Sequence, residues 1–117
     1  MPLPSLITNQ RQFGSVSVVD LHGNLGLGES SLTLRRTIRN LVESGRIKII
    51  LNFREVDSID SAGVGELAAA YMPLKSIGGE LKFLNPPKSI HRVLQITKLD
   101  KVFEVFTDEQ TAIQSFS

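Results

Sequence analysis

Residues 47–53 read Ile-Lys-Ile-Ile-Leu-Asn-Phe, and this run constrains the fold more than any other. Ile47, Ile49, Leu51 and Phe53 share one face of an extended chain, and Ile50 makes the opposite face apolar as well. A strand buried on both sides belongs in the middle of a sheet. A helical pattern follows over residues 64–77, with Val64, Leu67, Ala68, Tyr71 and Leu74 or Lys75 in register, and Gly78-Gly79 ends it. A central strand feeding a helix calls for crossover connections and helices laid on the sheet.

The flanking segments extend this pattern. Residues 6–8 predict a short first strand, residues 9–14 a polar turn, and residues 15–21 a second strand by alternation. Residues 22–28, rich in glycine, read as a loop. Residues 29–44 predict a helix with Leu34, Ile38, Leu41 and Val42 on one face, closed by Gly45 as a left-handed cap. Leu81 and Phe83 mark a further strand. Pro86-Pro87 opens a third helix with Ile90, Val93, Leu94 and Thr97 inward. Residues 102–106 suggest an edge strand. Thr107 then caps a last helix, with Gln110 completing a capping box and Ala112, Ile113 and Phe116 inward. The expected order is β-β-α-β-α-β-α-(β)-α: an α/β fold with a mixed sheet of four to five strands and about four helices packed on it.

At 117 residues the chain predicts a single domain, residues 1–117, with one core. A net charge of +1 implies no strong pull toward nucleic acid or acidic membrane. Absence of cysteine removes thiol catalysis, disulfides and thiolate metal sites, and fits a cytoplasmic location. Residues 1–4, Met-Pro-Leu-Pro, lack the basic and apolar regions of a signal peptide. No apolar run nears the roughly 20 residues that span a bilayer, so no membrane insertion is expected. A monomer is the simplest expectation.

The stretch with chemical potential is Ile59-Asp60-Ser61-Ala62-Gly63-Val64-Gly65, at the junction of strand and helix. Its plain structural reading is an Asp or Ser helix cap, with Gly63 and Gly65 allowing close packing. A nucleophile elbow requires Gly-x-Ser-x-Gly, and Ile59 stands where the first glycine should be. The two histidines, His22 and His91, have no evident relation to Ser61, and neither suggests a metal site. A phosphate-accepting aspartate, Asp57 or Asp60 in a receiver-type domain, would need acidic residues after the first strand. Residues 6–10 supply none. The remaining reading is a serine phosphorylated by a separate kinase, since a helix N-terminus tolerates the added charge of about −1.5 to −2.

Other segments carry weaker signals. Gly23-x-x-Gly26-x-Gly28 has glycines but no Lys-Ser/Thr after them, and so reads as a flexible loop. Arg35, Arg36 and Arg39 form a small basic cluster on the first helix: a solvated face, with a docking contact as the alternative. Lys88, Arg92, Lys98 and Lys101 lack the interleaved aromatics of a nucleic-acid groove.

These segments, taken in order, resemble the STAS domain of bacterial anti-sigma factor antagonists. The resemblance rests on the strand Ile49-Ile50-Leu51-Asn52-Phe53, then Asp60-Ser61-Ala62-Gly63-Val64-Gly65, then Ile77-Gly78-Gly79. Downstream it continues through Leu81-Lys82-Phe83-Leu84-Asn85, Ile90-His91-Arg92-Val93-Leu94 and Leu99-Asp100-Lys101-Val102-Phe103, to Asp108-Glu109-Gln110-Thr111-Ala112. It implies a non-enzymatic switch protein without a cofactor. When unphosphorylated, such a protein binds an anti-sigma factor that is also a serine kinase, and the sigma factor is released. The kinase, using its own ATP, phosphorylates the antagonist, and a metal-dependent phosphatase restores it. Carried onto this chain, Ser61 is the phosphoacceptor, and Asp60, Ala62, Gly63 and the loop around Gly23 and Asn24 form the docking surface. The alternative under the same resemblance is a scaffold subunit of a lipid-transport or signalling complex in which Ser61 is never phosphorylated. Two departures stand out. Ala62 replaces the family's frequent Ser or Thr, and Pro73 lies inside the second helix, where a kink near Ala69 is expected. Ser58 is expected in the loop before the motif.

Overall fold

The strand anticipated at residues 47–53 is the middle strand of a five-stranded sheet with order β1-β2-β3-β4-β5. The computed structural model describes residues 6–26 and 28–116. The expectations for residues 1–4 and for Leu27 of the glycine loop lie outside them. The elements are β1 Leu6–Phe13, β2 Val16–Leu25, α1 Glu29–Glu43, β3 Lys48–Ile59, α2 Ser61–Ser76, β4 Glu80–Leu84, α3 Lys88–Ile96, a 3₁₀ turn Leu99–Lys101, β5 Val105–Phe106 and α4 Glu109–Gln114. β1 and β2 form an antiparallel hairpin. The pairings of β2 with β3, β3 with β4 and β4 with β5 are parallel.

Alternation along β3 builds two cores. Ile49, Leu51 and Phe53 pack with Val19, Leu21, Leu34, Ile38, Leu41, Leu67, Leu74, Phe83, Ile90 and Leu94, so α1, α2 and α3 share one face of the sheet. Ile50 points the other way, against Val16, Val18, Leu84, Ala112 of α4 and Phe116 just beyond that helix. Full burial of each such aliphatic side chain contributes about 1.5–3 kcal/mol. Phe83 stacks on Phe103 at 4.5 Å between ring centroids and meets Phe53 edge-on at 4.9 Å.

Glycine ends both long helices in the same way. After α1, Gly45 has φ 79°. Its N–H donates to Val42 O, and the Arg46 N–H reaches Leu41 O at 2.8 Å. After α2, Gly78 has φ 80°, its N–H reaches Lys75 O, and the Gly79 N–H reaches Leu74 O at 2.7 Å. These are paired Schellman bonds, and the left-handed residue between them is open to glycine at no steric cost.

Several boundaries differ from expectation. β1 runs on to Phe13, so residues 9–13 are strand and the turn shrinks to Gly14 and Ser15. Their polar character reflects an edge position, since β2 supplies the ladder and solvent bathes the rest. β3 continues to Ile59, so Asp57 and Ser58 lie in a strand and not in a loop. Gly23 and Asn24, expected in a loop, belong to β2 and pair with Val56 and Ser58 across two register irregularities. Within α2 the inward residues include Gly63 and Glu66, while Ala68 and Lys75 are exposed. The helix is assigned without a break through Pro73 to Ser76. Thr97 is exposed at the C-cap of α3, its hydroxyl donating to Val93 O. β5 is only two residues long. α4 is capped by Asp108, one residue later than Thr107: its carboxylate accepts from the Thr111 N–H at 2.9 Å and the Thr111 hydroxyl at 2.7 Å.

Two cations fasten α4 across the sheet. Arg11 of β1 donates to both oxygens of Asp20, at 2.7 and 2.9 Å, and to Glu109. Lys82 of β4 is 4% exposed. Its ammonium donates to Ser115 Oγ at 2.8 Å and Ser115 O at 3.2 Å, and stands 4.4 Å from the centroid of the Phe116 ring. A cation beneath the last carbonyls of α4 also complements the helix dipole.

Candidate functional site

The junction between β3 and α2 is held from three directions. Asp60 has extended backbone and is the N-cap of α2; its Oδ1 accepts from the Gly63 N–H at 3.0 Å. The Asp60 N–H donates to Leu25 O at 3.1 Å, tying the junction to the end of β2. Gly63 is buried against the same carbonyl. A Cβ there would lie 2.4 Å from Leu25 O and 2.9 Å from Ile59 Cγ1, so only glycine lets the first turn of α2 come this close. Gly65 differs, since a Cβ there would meet nothing within 4 Å. Of the two glycines expected to serve packing, Gly63 alone does so.

Ser61 is the first residue of α2 and is exposed. It stands at the positive end of a 16-residue helix whose first turn holds no acidic side chain. Ala62 is half-buried beside it and Asp60 is exposed.

Beside Asp60 lies a shallow depression of about 260 Å³, lined by Asn24, Leu25, Gly26, Ser30, Ser58, Ile59 and Asp60. Gly26 makes room for the cap. A Cβ there would fall 2.4 Å from Asp60 Oδ2. Ser30, buried at the start of α1, accepts from the Gly26 N–H at 2.8 Å, and its hydroxyl donates to Gly26 O at 2.9 Å. Ser31 donates to the same carbonyl. Across the depression the Ser58 hydroxyl donates to Asn24 Oδ1 at 2.8 Å.

The structure therefore gathers Asp60, Ser61, Ala62 and Gly63 at one junction, with Asn24 on the rim of the adjoining depression. Gly23, with φ 112°, is farther down β2 at a register irregularity and does not line the depression. Neither His22 on β2 nor His91 on α3 lines it. No cluster of three His, Asp or Glu side chains suited to a metal occurs among the described residues. None of their helices is long and apolar enough to cross a membrane.

Gly26 and Ser30 are the residues the sequence reading missed, and their roles depend on contacts between separate elements. Glu66 is another. It is 6% exposed, and its carboxylate takes two hydrogen bonds from Arg35, at 2.8 and 2.9 Å. Arg35 thus links α1 to α2, while Arg36 and Arg39 remain on the exposed face of α1. No local signal marks the pair, since Arg35 and Glu66 lie 31 residues apart.

A family model described as STAS domain matches residues 8–112. The chain is 26% identical over 100 residues to the anti-sigma F factor antagonist of Paenibacillus polymyxa, with 84% of each chain covered. Its fold matches an anti-sigma factor antagonist from Mycobacterium paratuberculosis with TM-score 0.81 at 23% identity, covering 96% of this chain and 94% of that one. It also matches the anti-sigma factor antagonist SpoIIAA in its unphosphorylated form, with TM-score 0.80 at 24% identity, covering 94% and 96%.

Proposed function

Since the chain belongs to the STAS domain family, we propose that it is an anti-sigma factor antagonist switched by phosphorylation of Ser61. One observation carries the reading: Ser61 is the exposed first residue of α2, directly after the Asp60 cap. A kinase reaches the hydroxyl without opening the core. The phosphate then sits among the free N–H groups of a helix start, which offset part of its charge of about −1.5 to −2. The fold survives modification, and the new charge falls on the surface a partner must cover. The kinship with antagonists such as that of Paenibacillus polymyxa supports the assignment of that partner to an anti-sigma factor.

In this reading the protein is not itself an enzyme. Unphosphorylated, it docks an anti-sigma factor that is also a serine kinase, through Asp60, Ala62 and the rim at Asn24. Gly63 and Gly23 shape the backbone behind that surface. The kinase supplies ATP, and a metal-dependent serine phosphatase reverses the mark. Asp60 beside a phosphorylated Ser61 adds like-charge repulsion against a docked partner.

The test is incubation with a kinase-type anti-sigma factor and ATP, followed by peptide mass measurement. Phosphate is expected on the peptide containing Ser61 and on no other, and Ser61→Asp should weaken kinase binding. Phosphate elsewhere, no phosphate at all, or equal affinity for Ser61→Asp and wild type would sink the proposal.

A further inference from the structure

α1 and α2 face one another through matched stripes. Arg35, Ile38, Arg39 and Val42 come from α1, and Glu66, Ala69, Ala70 and Pro73 from α2, each at i, i+3, i+4 and i+7. Packed helices normally fill such a seam with interdigitating side chains. Here α2 offers two alanines and a proline, and the seam stays open as a groove of about 240 Å³, with Ile38, Val42, Ala70 and Leu74 beneath it.

The rim of the groove is charged unevenly. The Glu66 carboxylate is satisfied by Arg35 at one end. Arg39 has no carboxylate within ion-pair distance among the described residues, nor has Arg36 on the next turn. Leu32, Arg35, Arg36 and Arg39 line an adjoining hollow on α1. Pro73 has no N–H, so the Ala69 carbonyl on the groove wall lacks its helical donor. Leu32, in that adjoining hollow, is 50% exposed and offers further apolar surface to a partner.

We propose that this groove is a docking site for an acidic segment of a partner protein carrying an apolar anchor. The anchor fills the seam over Ile38 and Leu74, carboxylates meet Arg39 and Arg36, and a backbone or side-chain donor reaches the Ala69 carbonyl. A concave apolar floor takes an inserted side chain, which a lipid surface does not provide. A second copy of this chain fits poorly. Its contact through any other patch is head-to-tail and runs on into open polymers unless the rotation happens to close. Glu66 begins the groove about 7.5 Å along α2 from Ser61, at 1.5 Å per residue. A partner seated at Ser61 can therefore reach it, though the proposal does not rest on Ser61 being phosphorylated.

The experiment is an amide NMR titration of the full chain with a capped peptide of sequence EELEDFLEEL. Its basic counterpart KKLKNFLKKL and phosphatidylglycerol vesicles serve as the other arms. The expected result is saturable shifts at residues 35–42 and 66–74 with the acidic peptide alone. Ala69→Trp, which fills the seam, should abolish them, and Arg39→Glu should weaken binding about tenfold. Thermal melting of both variants checks folding, and Ala69→Leu replaces the tryptophan variant if that one unfolds. No shifts at about 1 mM peptide, the weak end of specific binding, would overturn the proposal. So would equal binding of the basic peptide, a response to vesicles alone, or concentration-dependent shifts at the same amides without peptide.

Discussion

Gly63→Ala and Gly65→Ala add the same methyl group to the same helix two residues apart, yet the contacts predict opposite outcomes. At Gly65 the new Cβ meets nothing within 4 Å. Only the helix preference for alanine remains, and stability should rise by about 0.5–1 kcal/mol. At Gly63 the Cβ would stand 2.4 Å from Leu25 O, about 1 Å short of ordinary contact. That carbonyl cannot simply retreat. It accepts the Asp60 N–H at 3.1 Å, and Leu25 is 1% exposed and paired with Ile59 in the β2–β3 ladder. Overpacking of this kind costs about 1–3 kcal/mol, and losing the Asp60 hydrogen bond adds about 1 kcal/mol. Subtracting the propensity gain of about 1 kcal/mol leaves a net loss near 2 kcal/mol. Urea unfolding followed by circular dichroism measures both variants, with the midpoint moving down for Gly63→Ala and up for Gly65→Ala. At about 4 °C per kcal/mol, melting should fall by about 8 °C in the first and rise by about 2–4 °C in the second. Equal shifts in the two variants, or an undisturbed Gly63→Ala, would refute the claim that α2 starts pressed against the end of β2.

Lys82→Ala should loosen α4 selectively, because it removes both bonds to Ser115 and the cation beside the Phe116 ring. The loss is about 2–4 kcal/mol, and hydrogen exchange should quicken first at residues 109–114. Lys82→Met keeps the apolar stem but lacks the same two bonds and the cation, so it should recover only the packing part of the loss. A loss spread evenly over the sheet would count against this account. At Asp20, burial pushes the carboxyl up, but hydrogen bonds from Arg11 and Asn52 outweigh it and hold the group below the usual carboxylate range. A depressed carboxyl stabilises the fold above its unfolded pKa of about 3.9, and that contribution disappears as pH falls through the folded value. The stability gap between wild type and Asp20→Asn should therefore be full near neutrality and shrink below about pH 4. A gap constant from about pH 2 to 6 in denaturant titrations would exclude this role.

Where burial was strong or a backbone angle unusual, the sequence was legible. β3 announces itself by apolar residues on both faces. Gly45 and Gly78 announce the ends of α1 and α2, because a left-handed residue is a local demand. Polar strand was not legible. Residues 9–13 of β1 and 54–59 of β3 carry few large apolar side chains, and only their pairing to β2 makes them strand. On α2 Val64, Leu67, Tyr71 and Leu74 pack inward as expected, while Ala68 is exposed, because Ala68, Ala69 and Ala70 give almost no contrast to decide where the inward face ends. Glu66 resolves it, since its burial follows from Arg35, which lies 31 residues away. The small side chains of Ala69 and Ala70 also leave the seam with α1 open.

The site shows a sharper division. Asp60 could be read as a cap and Ser61 as an exposed helix start from the local string, because capping needs only neighbours three residues on. Close packing at Gly63 could also be read, but neither the group it packs against nor the need for glycine at Gly26 could be. Gly63 is fixed by the carbonyl of Leu25, and Gly26 by the carboxylate of Asp60. Each pairing joins the end of β2 to the start of α2. An Asp-Ser-x-Gly string without a glycine at the position of Gly26 could not hold the cap carboxylate where it now lies. The short motif therefore specifies this junction only together with residues at the end of β2, and Ser61 owes its exposed position to contacts that its own neighbours in sequence do not contain.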